Sequence, residues 1–308
     1  MRRPILLLAI AGGIVAVSTG SIFVRFAQQT TPSLTVAAGR LLFAALALAP
    51  VALTRHRAEL ARLTAREILP VVLSGVFLAL HFATWITSLE HTTVTSSVVL
   101  VTTTPLWVGL LAPLVLRERL TRRLALGILL ALAGGVVVGL SDTGRQAAAA
   151  PGAAGGGRAL LGDLLALSGA WGMAGYLLVG RRLRARLTLV PYVFLVYSMA
   201  AVVLTVVMAV TGGSLLGLAP ASYLWLVLLA LVPQLLGHST YNWALRYLPA
   251  SFVAIAMLGE PVGASVLAFF FLREVPGPVL IAGAVLLLAG IAVAATGTPE
   301  GEAGAAAP

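Results

Sequence analysis

Ten stretches of this chain are each long and apolar enough to cross the hydrocarbon core of a membrane as a helix. They run at 5–26, 32–53, 68–89, 93–115, 123–141, 159–180, 190–211, 222–245, 250–272 and 277–296; about 18 apolar residues in a row suffice for one crossing. A backbone facing lipid must satisfy its own hydrogen bonds, so the spans are helices and the expected fold is all-α and integral to the membrane. Composition agrees. Of the 308 residues 60% are hydrophobic and 10% charged, against roughly a half and a quarter in soluble domains. The first stretch, behind Met1-Arg2-Arg3-Pro4, is too long for a secretory signal and ends in no clear small-x-small cleavage site. It reads as the first span.

All twenty basic residues are arginine. Without lysine a GxxxxGKS/T nucleotide loop cannot be built. Without cysteine there are no disulfides and no thiolate metal sites. The net charge of +10 invites a nucleic-acid partner, but the short loops leave no basic domain to grip one, so none is expected. With the N-terminus inside, fifteen arginines fall on inside segments, at 2–3, 55–66, 117–123, 181–186 and 246. The other five are Arg25, Arg40, Arg145, Arg158 and Arg273. Positive charge collects in cytoplasmic loops, so both termini are expected in the cytoplasm and the chain in the cytoplasmic (inner) membrane.

Residues 144–158, GRQAAAAPGAAGGGR, have the Ala, Gly and Pro content of a linker with no core of its own. The expected organisation is a five-helix repeat at 1–141, a linker at 142–158, a second five-helix repeat at 159–296 and a disordered tail at 297–308. Residues 105–137 match 261–293 without a gap at an offset of 156, with thirteen of thirty-three positions identical. The identities include Pro105/Pro261, Leu116-Arg117-Glu118/Leu272-Arg273-Glu274, Gly127/Gly283 and Gly134/Gly290. Because five is odd, two such repeats in one chain cross the membrane in opposite senses. Inverted repeats are a signature of secondary transporters, with the site near the midplane between the halves.

The pattern Pro105, Glu118, Gly127, Gly134, repeated as Pro261, Glu274, Gly283, Gly290 behind the Glu260-Pro261 pair, resembles the drug/metabolite transporter superfamily, in particular its ten-helix EamA-type members. Arg40 and Ser88-Leu89 also look like family positions. Val275-Pro276 after Glu274 departs from the first copy's Arg119-Leu120-Thr121. The resemblance covers the chain apart from linker and tail. It implies a carrier of small organic solutes, often an exporter, that works without a bound cofactor.

Glu260 is the candidate at the centre of the site. It is the eleventh residue of a 23-residue span, so at 1.5 Å per residue it lies about 15 Å deep, near the midplane. An ionised acid there costs on the order of 3 kcal/mol on insertion scales and should face a water-filled cavity or a partner. Pro261 removes a backbone hydrogen bond beside it. The competing reading is a structural glutamate bonded to a neighbouring helix. In span eight Gln234, His238, Tyr241 and Asn242 form one polar stripe at helical spacing. In span three His81, Thr84, Trp85 and Ser88 form another, and Trp85 plus 156 is Tyr241. Both histidines read equally as packing or cavity residues. Trp171 and Tyr176, flanked by glycines in span six, are expected to line the cavity. Arg40 could pair with an acid, bind a substrate carboxylate or snorkel, and snorkelling is the expectation. Glu118 and Glu274, at span ends, are assigned with Pro105 and Pro261 to structure.

The function expected is therefore a secondary transporter, an exporter of small organic metabolites or drugs by alternating access, with Glu260 meeting a cationic solute or a coupling proton. No cluster of cavity arginines favours phosphorylated sugars. An uptake carrier or facilitative channel is the alternative. A membrane-embedded transferase is remote, since it would need paired acids or a metal cluster within the membrane. No catalysis, metal or cofactor is expected.

Overall fold

The structure, a computed structural model, describes residues 3–91, 97, 100–118, 120–149, 156–272 and 277–296. Every regular element among them is a helix: α1 Arg3–Gln28, α2 Ser33–Arg55, α3 Arg57–Ala61, α4 Ala65–Ser88, α5 Thr104–Val115, α6 Arg122–Ala149, α7 Gly156–Arg184, α8 Leu189–Val210, α9 Pro220–Leu229, α10 Ser239–Ala244, α11 Ala250–Met257, α12 Gly259–Leu272 and α13 Pro278–Thr296. A π-helical stretch, Ala230–His238, joins α9 to α10. Each apolar stretch contains helix among its described residues. Among the described residues six helices are long and apolar enough to span on their own, whereas Thr104–Val115, Ala250–Ala264 and Ile281–Ala294 are shorter.

Two differences from expectation have local causes. The ninth stretch is broken at Leu258. Pro261 lacks an N–H for the carbonyl four residues back, that of Met257, and its ring crowds that oxygen. The expected linker is helical at both ends: α6 runs on to Ala149 through an alanine run that favours helix, and α7 starts at Gly156. The tail and Glu274 lie outside the described residues.

The two halves interleave, and the offset of 156 holds beyond the segment where identity shows it. A Cβ on Gly13 would lie 3.1 Å from Thr240 Cγ2, and one on Gly169 would lie 3.3 Å from Thr84 Oγ1. Adding 156 to Gly13 and Thr84 gives Gly169 and Thr240, so this is one contact made twice. It sets α1 against the π-helix and α10, and α7 against α4. The second helices of the halves, α2 and α8, also pack on each other.

The repeated glycines place α6 on α13. A Cβ on Gly127 would lie 2.7 Å from Ala294 Cβ, one on Gly134 would lie 2.7 Å from Leu287 Cα, and one on Gly290 would lie 2.9 Å from Ala131 Cα. As the number rises on one helix it falls on the other. The equivalent helices therefore cross antiparallel about a pseudo-two-fold axis, at a backbone distance only glycine allows.

Three of the arginine segments, at 55–66, 117–118 and 181–186, gather at one end. Arg181 Nε is 3.0 Å from Glu118 Oε1, and Arg181 also donates to Leu245 O at 2.5 Å. Arg182 donates to Val115 O, and Arg184 to Asn242 O at 2.9 Å. Arg55, Arg62 and Arg186 share a depression with Glu59 at that end.

Candidate functional site

A cavity of ≈ 110 Å³ lies between the halves, room for several waters by the same measure. Half of its wall falls in pairs related by the offset of 156. Val17 and Met173, Phe82 and His238, and Thr104 and Glu260 all line it. The cavity thus sits on the pseudo-two-fold axis. Its chemistry does not obey the symmetry. Arg40 corresponds to Val196, His81 to Gly237, and Glu260 to Thr104, so the charges and imidazoles occur once each.

Both proline-bearing helices begin at this wall. Thr104 and Glu260 stand in the first turns of α5 and α12, directly before Pro105 and Pro261. Proline suits the start of a helix, where its missing N–H would have had no partner. The Glu260 backbone is pinned to α1: its carbonyl accepts from Ser18 Oγ at 3.1 Å, while Ser18 Oγ also bonds Ile14 O at 2.7 Å. A Cβ on Gly263 would lie 2.9 Å from Ser18 Cβ, so glycine admits this approach. Among the described residues the Glu260 carboxylate has no hydrogen-bond partner. Arg40 lines the same cavity.

Arg40 does not snorkel. It is 1% exposed, because its neighbours Ala37, Ala38, Leu41 and Ala44 on α2 all turn inward. Its Nε donates to Gln234 Oε1 at 2.8 Å, and its guanidinium lies 4.1 Å from the centroid of Phe82. A polar acceptor and a π-face compensate part of the burial of the charge. The sequence places the residue in a span, and packing turns it inward instead of toward the surface. The available signal was an arginine whose flanking helix is apolar on every side.

Of the other candidates, His81, Trp85 and His238 line the cavity with Glu260. His81 Nδ1 is 3.0 Å from Gly169 O; a carbonyl only accepts, so that nitrogen carries the proton. The His81 ring stacks on Trp85 at 5.9 Å, and His238 meets Phe82 edge-on at 5.4 Å. The span-eight stripe divides. The π-helix widens the turn, with Ser239 N–H reaching back five residues to Gln234 O. Gln234 then faces Arg40 and His238 the cavity, while Tyr241 lies buried behind His238.

Asn242 points elsewhere. It accepts from the Tyr176 hydroxyl at 2.8 Å and donates to the Tyr197 hydroxyl at 3.2 Å, a buried network that Ser239 extends. Tyr176 therefore stands in this network and not in the cavity wall. Trp171 is not in the wall either. It is 48% exposed and packs edge-on against Trp107 at 5.5 Å on the outer surface. The glycines beside it serve the α4 contact instead, as Gly172 abuts the His81 and Phe77 backbone. Glu118 both pairs with Arg181 and accepts from the Ala250 N–H at 3.2 Å, at the start of α11. Arg117, at φ 59°, turns the chain after α5 to present it.

No curated protein matches the chain. A solved structure described only as "Crystal structure of protein" is similar with a TM-score of 0.72 at 18% identity, over 94% of this chain and 96% of that one. At that identity the likeness speaks for the fold. The EamA-like transporter family matches residues 3–140 and again 160–296, the two halves that the glycine contacts relate. The chain is a multi-pass membrane protein of two repeats and belongs to the EamA-like transporter family.

Proposed function

We propose that the chain is a secondary carrier that exports small organic solutes by alternating access, through ten spans arranged as two inverted five-helix repeats. The observation that carries this reading is the position of the cavity on the pseudo-two-fold axis, with the Glu260 carboxylate, which has no hydrogen-bond partner among the described residues, in its wall. Two halves related in this way can open to either side at similar energy, which alternating access requires. The antiparallel crossing of α6 and α13 supports the inversion. The gathering of arginines at one end supports termini on the cytoplasmic side of a cell's inner membrane. Glu260 is the group that meets a coupling proton or a cationic part of the solute.

The test compares extracellular small molecules from cells expressing wild type, Glu260→Gln or empty vector, at matched membrane levels. Enrichment of a metabolite with wild type, lost in Glu260→Gln, is the expected result. Equal enrichment with the variant would reduce Glu260 to a structural role. Absence of enrichment with wild type would count against export.

A further inference from the structure

The cavity wall, with Gln234 bonded behind it, holds more donors than its neighbours use. Among the described residues Arg40 Nη2 has no hydrogen-bond partner, and neither have Gln234 Nε2 and Trp85 Nε1. The orientation of Gln234 follows from chemistry, because a guanidinium only donates and so takes the amide oxygen, which leaves the NH2 over. A buried donor without an acceptor is costly, and a cationic one more so. These three stand together: Gln234 is bonded to Arg40, and Arg40 and Trp85 share the cavity wall. The first turns of α5 and α12 add the positive ends of two peptide dipoles at the same wall.

We infer that the solute carried here bears a carboxylate, and that its acid group docks on the Arg40 guanidinium with the Trp85 and Gln234 N–H groups beside it. This rests on the reading of the cavity as the transport site. A guanidinium presents a planar fork that fits a carboxylate, and one arginine suits one acid group, whereas a phosphate ester would ask for more charge. His81, Phe82 and Trp85 put aromatic rings in the wall beside the body of the solute. Glu260, the acid across the cavity, is balanced by a cationic group on the same solute or by a proton. The carboxylate site is common to both cases.

The experiment uses the purified full-length protein, with binding measured calorimetrically in detergent and uptake measured in proteoliposomes. The probes are 3-phenylpropionate, 3-amino-3-phenylpropionate, 3-phenylpropionamide and 3-phenylpropylamine. At least one acid should bind about tenfold or more tighter than the amide, as expected of charge-assisted hydrogen bonds. Arg40→Gln should erase that preference, and Trp85→Phe, which removes one donor and keeps the ring, should reduce it several-fold. Trp85→Phe carries the test by itself where Arg40→Gln does not fold. Tightest binding of the amino acid probe assigns the balance at Glu260 to the solute; tight binding of the plain acid with proton uptake assigns it to a proton. Either supports the site. An amide or amine that binds as well as the acids, or a preference that survives Arg40→Gln, overturns it. Transport of the amine alone would overturn the carboxylate site and leave the carrier standing. Binding and transport of none of the four would overturn the site, and the metabolite comparison would judge the carrier separately.

Discussion

Gly134→Ala sets two opposed effects against each other at the crossing of α6 and α13. The added methyl would lie 2.7 Å from Gly283 O and 2.7 Å from Leu287 Cα. Both are backbone atoms, so no side chain can swing aside and the helices must part. Overfilling a packed contact costs about 1–3 kcal/mol, while alanine is the better helix former by about 1 kcal/mol. The net is a loss of up to about 2 kcal/mol. The next residue provides the control. A methyl on Gly135 would meet only Thr102 Oγ1, at 3.6 Å, an ordinary contact, so Gly135→Ala keeps the propensity gain of about 1 kcal/mol. Thermal unfolding of each variant in detergent should show Gly134→Ala below wild type and Gly135→Ala at or above it. Gly290→Ala should fall with Gly134→Ala, since its methyl would lie 2.8 Å from Gly127 O. Equal shifts at 134 and 135 would refute the close crossing, and with it the axis through the cavity.

Tyr176→Phe removes the hydroxyl that donates to Asn242 Oδ1, and a buried polar group left alone costs about 1–3 kcal/mol. Trp171→Leu, on the outer surface, should cost far less. The same melting measurement compares them, and a larger loss at Trp171 would contradict the placement of both. The Arg181–Glu118 pair has side chains only 12% and 10% exposed, so a double-mutant cycle with Arg181→Gln and Glu118→Gln should give a coupling of about 1–3 kcal/mol. A coupling near zero would mean that the pair does not tie the second half to the first.

The sequence by itself determined the helical membrane architecture, because lipid admits no other use of such long apolar runs, and it disclosed the repeat through the proline, Leu-Arg-Glu and glycine identities. It also singled out Glu260, since a lone acid in an apolar span is visible in one dimension. Direction and partnership were not visible there. Arg40 and Trp171 both sit in apolar spans, yet one turns into the cavity and the other onto the outer surface. Gly172, beside Trp171, serves the α4 contact; it marks no pocket. Gln234, His238 and Asn242 share a stripe on an ideal α-helix. The π-helical turn sends them to an arginine, a cavity and a tyrosine network, and a departure from the helical period is a product of packing. Only the fold pairs residue with residue across the axis, because distances between helices depend on how both halves fill space together and no single span records that.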